Sequence, residues 1–366
     1  MQRRRVAILG AGNGGRTAAV ELGLRGHDVT IFGRPDFGDR LKVIEERGGI
    51  RSTGVIEGDA PVRVTTDLAS AVDDKDLILI VVPTNYQREY SRLLAPLVTD
   101  GMTIGLMPGS FGSLEFVADL RNRGATADIT VCEFAALPYA TRITGPDEVH
   151  VFGRRSFVSA GVFPSRLSDT VAPLLTDLYP DLRMMANVIE AGLNNPNPTL
   201  HCLGVLLSAS RIEYSHGDFY YYEEGMTPSV CRAIEAIDAE RQAIGAALDV
   251  DVMSLIDTYP DVGYGPRGTT FWSVIRGVEA LHGIKGPGEL DSRYLTEDVP
   301  IGLTIYSQLG RAMGAPAPLM ESVITIAGAL LSRDFADAGR TLQRCGIDGL
   351  DRGQLQEYVT NGVRPE

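Results

Sequence analysis

The chain has 366 residues, 44% of them hydrophobic and 22% charged, with a formal net charge of −13. That length suits two domains better than one core, and the composition excludes a disordered chain. The surplus negative charge repels phosphate backbones and anionic lipid, so nucleic acid and membrane surfaces are not expected partners; a local basic pocket for a small anion stays open. Lys42, Lys75 and Lys285 are the only lysines, which leaves carboxylate and phosphate recognition to arginine forks. Cys132, Cys202, Cys231 and Cys345 are scattered without a CxxC pair, and no apolar run approaches the roughly 20 residues that span a bilayer. The N-terminus runs directly into a short strand with no signal-peptide pattern, so a reduced, cytoplasmic protein is the expectation.

In chain order, Val6–Leu9, Val29–Phe32, Val62–Thr65, Leu77–Val82, Met102–Leu106 and Ile129–Glu133 read as strands, apolar on both faces as buried parallel strands must be. Helical patterns at Thr17–Arg25, Tyr86–Leu97 and Leu114–Asn122 lie between them. Such β-α repeats predict a doubly wound α/β Rossmann sheet over residues 1–186. Beyond about Val188 long helical stretches dominate: Pro198–Arg211, Pro228–Ala247, Ile301–Met313 and Leu319–Leu331. Residues 187–366 therefore read as an all-α substrate and catalytic domain. No internal repeat or low-complexity linker separates the two, and the cleft between them is the default site.

The first turn carries the strongest motif. Gly10-Ala11-Gly12-Asn13-Gly14-Gly15 follows the first strand and opens a helix at Arg16. Gly10 permits the tight turn, Gly12 lets a pyrophosphate approach the backbone, and Gly15 lets helix and strand pack closely. The N–H groups of the helix start then meet the phosphate charge. At the end of the second strand an NAD enzyme usually places a carboxylate for the ribose 2′-hydroxyl. Here the sequence is Phe32-Gly33-Arg34-Pro35, so a 2′-phosphate is expected on Arg34 and NADPH is favoured, with NADH as the alternative if Asp36 or Asp39 takes the ribose. Val81-Val82-Pro83-Thr84 and the turn Pro108–Gly112 end later strands, where ligands lie; Pro83 and Thr84 join the expected cofactor site.

Three polar patches interrupt the helical half: Asn194–His201, Phe219–Ser229 and Gly286–Asp298. With the glycine motif they form an ordered set. Cys132-Glu133 is followed by Pro138-Tyr139-Ala140-Thr141-Arg142, and Asn195-x-Asn197 by His201. Then come Glu224-Gly225-x-Thr227-Pro228-Ser229, Asp238-Ala239-Glu240-Arg241, and Arg293-Tyr294 before Glu297-Asp298. This set resembles the octopine/nopaline, or opine, dehydrogenases over almost the whole chain. The resemblance implies a C-terminal architecture like that of 6-phosphogluconate dehydrogenase. It also implies reductive condensation of an amino acid with a 2-keto acid, through an imine, to a secondary amine dicarboxylate. By position it makes His201 the acid/base, Asp298 the residue that orients it, and Arg293 the carboxylate holder, with Asn195 in the substrate set.

The chemistry asks for the same types. An imidazole titrates near neutral pH, a carboxylate fixes its tautomer, and a bidentate arginine orients a keto acid. Plainer roles stand beside these. His201 fits a core histidine bonded to a carbonyl, Asp298 a helix cap near Pro300, and Arg293 a surface pair with Asp291 or Glu297. Glu133 and Arg142 suit either contact with substrate or nicotinamide, or a structural ion pair. Trp272, the single tryptophan, suits core packing or a wall of the amino-acid pocket. The other histidines, His27, His150, His216 and His282, lack a paired His, Cys or carboxylate at ligand spacing, so no metal is expected. The apolar face of Leu319–Leu331 fits a homodimer interface or simple core. Two other readings remain. A ketopantoate reductase or glycerol-3-phosphate dehydrogenase typically uses a lysine, and this half offers only Lys285. A non-catalytic dinucleotide sensor would need no His–Asp–Arg set.

Overall fold

The computed structural model describes residues 2–365, apart from the side chains of Phe37, Asp39 and Arg40. The chain divides into two compact units, residues 1–191 with 359–362 and residues 192–358 with 363–366.

Among its described residues the first unit holds twelve strands: β1 Arg5–Leu9, β2 Asp28–Phe32, β3 Gly49–Gly54, β4 Gly58–Pro61, β5 Arg63–Thr65, β6 Leu77–Ile80, β7 Thr103–Leu106, β8 Thr130–Phe134, β9 Tyr139–Gly145, β10 Glu148–Arg154, β11 Val158–Phe163 and β12 Leu182–Met184. Eight form one sheet in the order β12-β11-β8-β7-β6-β1-β2-β5. The chain first builds outward from β1 to β2 and β5, then crosses back to β6, which puts the topological switch point between β1 and β6. Val6, Ile8, Leu77 and Leu79 are fully buried there, as strands covered on both faces must be. The parallel reading holds from β5 to β8, but β11 runs antiparallel to β8.

A second sheet, β4-β3-β10-β9, was not legible as such. It packs on the helix Asn13–Leu24: Thr17 Oγ1 and Thr141 Oγ1 lie 2.8 Å apart, and the Ile143 N–H donates to Asn13 Oδ1 at 2.9 Å.

The second unit is helical, with Asn197–Leu207, Ala209–Ser215, Pro228–Leu248, Thr304–Ala312 and Pro318–Leu331 as its main elements. The expected helix Pro198–Arg211 breaks at Ser208 into two. The expected helix from Ile301 opens instead as a π-helical turn, Val299–Leu303. Thr227 caps Pro228–Leu248, whose Ile234, Ile237 and Ile244 supply core. On the same helix Arg241, 1% exposed, pairs with Asp238 and donates to Leu193 O and Met253 O. Asp238 and Arg241 thus tie the helix to its neighbours. The helix Pro318–Leu331 leaves Leu319, Ile326 and Leu330 exposed. Among the described residues no helix is long and apolar enough to cross a membrane.

Candidate active site

A cavity of about 1070 Å³ lies at the carboxyl ends of β1, β2 and β6, the place where open α/β sheets hold ligands. Gly10, Gly12, Arg34 and Pro83 line it; Asn13, Gly14, Gly15 and Thr84 are not among its lining residues. Gly10 and Gly15 each have a steric reason of their own. Gly10 sits at φ +120°, and a Cβ there would meet Val81 O at 2.4 Å. A Cβ on Gly15 would lie 1.8 Å from Gly10 O, so helix and strand could not approach as they do. At Gly12 a Cβ would meet nothing within 4 Å. No side chain caps the helix that starts at Asn13, and an anion is the partner such a start favours. The cavity, the open approach at Gly12 and the uncapped helix fit a dinucleotide.

Arg34 lies on this wall with its guanidinium between two carboxylates: Nη1 donates to Glu89 at 2.5 Å and Nη2 to Asp36 at 3.1 Å. The side chain of Asp39, the other candidate for the ribose, lies outside the described residues. Two features of the wall escaped sequence reasoning. Arg16, 4% exposed, donates to Ala11 O and to Pro146 O. That contact draws the tip of the β9–β10 hairpin, Ile143–Pro146, onto the cavity rim. The only signals were an arginine directly after the glycines and a Thr-Gly-Pro turn far along the chain.

Glu133, at the end of β8, is fully buried. Its carboxylate accepts the N–H of Phe111 at 2.5 Å, the N–H of Ser113 at 3.0 Å and the Ser113 hydroxyl. The turn it holds is strained, with Ser110 at φ +56° and Phe111 at φ +64°, a region bulky residues avoid. Arg142, the other residue of that pair, is exposed on β9. Glu133→Gln keeps the size but sets an amide N–H₂ against backbone donors. It is expected to cost at least about 1–3 kcal/mol of stability, seen in thermal unfolding, while the KM for substrate stays within error. A raised KM with unchanged unfolding would support the substrate-contact reading instead.

In the second unit the run Asn194–Asn197 aims the helix that carries His201. Asn194 Oδ1 accepts the Met253 N–H and its amide donates to Asp251 O, while Asn195, 2% exposed, accepts the Asn197 N–H at 3.1 Å. Four residues into that helix, His201 Nδ1 lies 2.8 Å from Asp298 Oδ2, with the two side chains 12% and 14% exposed. Asp298 precedes the π-helical turn Val299–Leu303 but makes no capping bond to it, so its carboxylate serves the imidazole. Burial pushes the Asp298 carboxyl above the usual range, and the hydrogen bond from His201 pulls it back. Nε2 faces the Tyr222 hydroxyl at 3.2 Å. The Tyr294 ring stands edge-on to the imidazole, 4.5 Å between centroids.

Arg293 is 72% exposed at its side chain, with Nε donating to Glu297 at 2.6 Å. Asp291, the other candidate partner, pairs with Arg333. Trp272 is 39% exposed on the short helix Phe271–Ile275. The structure therefore brings His201 and Asp298 into contact, sets Arg293 close by in sequence on its own short helix, and buries Asn195 as a support of that region. Tyr222 is the partner sequence reasoning did not assign. It lay in a patch marked as too polar for core, but nothing in Tyr220-Tyr221-Tyr222 says which ring turns inward. Among the described residues no group of His, Cys, Asp and Glu is arranged to hold a metal ion.

Comparison with known proteins meets this geometry. Residues 184–331 match the family described as NAD/NADP octopine/nopaline dehydrogenase, alpha-helical domain, and residues 5–109 match the NAD-dependent glycerol-3-phosphate dehydrogenase N-terminus. Fold and site define an NAD(P)-dependent oxidoreductase acting on CH–NH bonds. The opine dehydrogenase of Arthrobacter sp. (strain 1C) is 35% identical over 362 residues, covering 98% of this chain and 99% of the relative. Octopine dehydrogenase of Mizuhopecten yessoensis is 24% identical, over 95% of this chain and 97% of its own. The solved octopine dehydrogenase with NADH and L-arginine superposes with a TM-score of 0.77 at 19% identity, covering 99% of both chains. Yersinopine dehydrogenase with NADP+ bound does so at 0.68 and 16%, covering 98% of both. The chain belongs to the opine dehydrogenase family.

Proposed function

We propose that the enzyme joins the amine of an amino acid to a 2-keto acid and reduces the resulting C=N bond, with His201 as acid/base. The observation that carries this assignment is the His201–Asp298 contact at 2.8 Å in a mostly buried setting. The amino acid arrives as an ammonium ion and gives one proton to Nε2. The free amine adds to the keto carbon, and a proton shift from nitrogen to oxygen completes the carbinolamine. Imidazolium then returns its proton to the hydroxyl, which leaves as water while the nitrogen lone pair closes the C=N bond. A nicotinamide cofactor, when bound, would supply the hydride that completes the secondary amine. Throughout, the Asp298 carboxylate holds Nδ1–H and stabilises the charged ring.

Arg293 is assigned to the substrate carboxylate. Its exposed head has to exchange Glu297 for that carboxylate, and an arginine fork suits the geometry. Trp272 is a candidate wall for the amino-acid side chain. The match to the glycerol-3-phosphate dehydrogenase N-terminus covers 5–109 alone, the dinucleotide-binding part, so it bears on cofactor and not on substrate. The test is a panel of 2-keto acids with and without amino acids, followed by cofactor absorbance. Oxidation that needs both partners supports condensation; oxidation with keto acid alone would make the enzyme a hydroxyacid dehydrogenase.

NADPH is the cofactor we assign, because Arg34 stands at the end of β2 where a 2′-phosphate arrives. Glu89 and Asp36 beside it favour the opposite reading, since a carboxylate there suits a free 2′-hydroxyl. Arg34→Gln decides between them. A charged hydrogen bond contributes about 1.5–3 kcal/mol, so kcat/KM for NADPH is expected to fall roughly 10- to 100-fold while that for NADH holds. Equal losses for both cofactors would end the 2′-phosphate assignment.

A further inference from the structure

The π-helical turn Tyr221–Gly225 is the feature of the second unit that the His–Asp pair does not explain. Such turns are rare and tend to gather at functional sites. This one buries two consecutive tyrosines, Tyr221 fully and Tyr222 to 6% exposure, while Tyr220 stays 40% exposed. Tyr221 has a structural post: its hydroxyl donates to His201 O at 3.1 Å and its ring stacks on Tyr294 at 5.4 Å. Tyr222 does something else. Its hydroxyl reaches past the backbone to the imidazole Nε2 at 3.2 Å, the nitrogen opposite Asp298.

That placement has a chemical consequence. With Nδ1–H donating to Asp298, Nε2 carries the lone pair, and the Tyr222 hydroxyl, which also meets Tyr294, is placed to donate to it. Burial pushes the Tyr222 hydroxyl well above its ordinary value, so it stays protonated at neutral pH. Every proton that Nε2 exchanges must either displace this hydroxyl or pass through it. A buried phenol anchored by a wide turn is poorly placed to swing away.

We propose that Tyr222 is a catalytic proton relay between His201 and the substrate. In the dehydration step the carbinolamine C–O bond breaks and the hydroxyl leaves as water with the phenol proton. The Tyr222 oxygen takes the Nε2 proton as its own O–H bond breaks, the nitrogen lone pair closes C=N, and His201 ends neutral. No atom beyond the two substrates is consumed. This rests on the assignment of His201 as acid/base.

The experiment is Tyr222→Phe in the whole enzyme, which keeps the ring and its packing. Thermal unfolding and NADPH binding are expected to match the parent. Turnover with keto acid and amino acid is expected to fall about 10- to 100-fold, within the range of general acid–base effects. Dehydration then limits the rate. The isotope effect from NADPH deuterated at the transferred position should therefore shrink towards one, while the solvent isotope effect grows. Turnover within about twofold of the parent overturns the relay, and so does a slower enzyme whose primary isotope effect stays or rises, which marks a misplaced ring. His201→Gln, run in parallel, separates the two ideas. If it retains turnover, the acid/base assignment itself fails; if it is inactive while Tyr222→Phe is normal, only the relay fails.

Discussion

Asp298→Asn is expected to lose turnover by about 10²- to 10⁴-fold while folding at least as well as the parent at neutral pH. The two halves of this expectation have different causes. An asparagine in the same place can still accept the Nδ1–H through its carbonyl, but it carries no charge to stabilise imidazolium. If it turns its amide inward, the ring is forced into the other tautomer and Nε2 loses its lone pair. Either way the proton traffic of Nε2 stalls.

Stability follows the opposite logic. Burial raises the Asp298 carboxyl in the folded state, although the hydrogen bond from His201 offsets part of the effect. A carboxyl raised on folding contributes stability that is present below its unfolded value, about 4, and is lost as pH climbs through the folded value. At neutral pH the parent therefore bears a cost that the amide lacks. Thermal unfolding of Asp298→Asn should match or exceed the parent at pH 7, and the difference should vanish as pH falls through that window. His201→Ala is expected to lose turnover comparably, and the double variant to be little worse than either single one, as for residues that act as a unit. Strictly multiplying losses would mean that the two residues work apart.

Legibility differed sharply between local and distant features. Steric rules for glycine act within a few residues, so Gly10, Gly12 and Gly15 could be given separate reasons from the sequence; at Gly10 and Gly15 the structure shows the expected close contacts, and at Gly12 a Cβ would meet only open space. The buried parallel strands were legible because burial on both faces leaves a continuous apolar run. β3 and β4 were not, since Arg51, Ser52, Thr53 and Asp59 break any such run. β3 pairs with β10 of a hairpin far along the chain, Glu148 opposite Arg51, and β4 pairs with β3 at the sheet edge.

In the site, His201 and Asp298 lie 97 residues apart. Residue chemistry by itself left Asp298 as a plausible helix cap, and the family resemblance supplied the pairing. The physical reason the cap does not form is the π-helical turn, whose start makes no side-chain capping bond. The same kind of turn hid Tyr222, because the wider turn decides that Tyr221 and Tyr222 point inward while Tyr220 stays exposed. Arg34 was legible as a cation at the end of β2, where it lines the cavity, while Glu89, 55 residues on, was not legible as its partner.

Gly12→Ala and Gly15→Ala should both abolish dinucleotide binding, for reasons one pair of measurements separates. At Gly15 the added Cβ would lie 1.8 Å from Gly10 O, a backbone atom that no side-chain rotation can clear. The glycine turn must open and the first helix must lift from β1, which is overpacking of the most buried part of the sheet. A loss of about 1–3 kcal/mol or more is expected, with unfolding at lower temperature. At Gly12 the Cβ meets nothing within 4 Å, so the fold should unfold as the parent does. The loss there falls on the ligand alone, because the methyl stands where a pyrophosphate has to reach the helix N–H groups. NADPH titration by fluorescence, set beside thermal unfolding, reads both. Should Gly12→Ala bind NADPH as tightly as the parent, the pyrophosphate does not pass over that residue, and the cofactor lies elsewhere in the cavity.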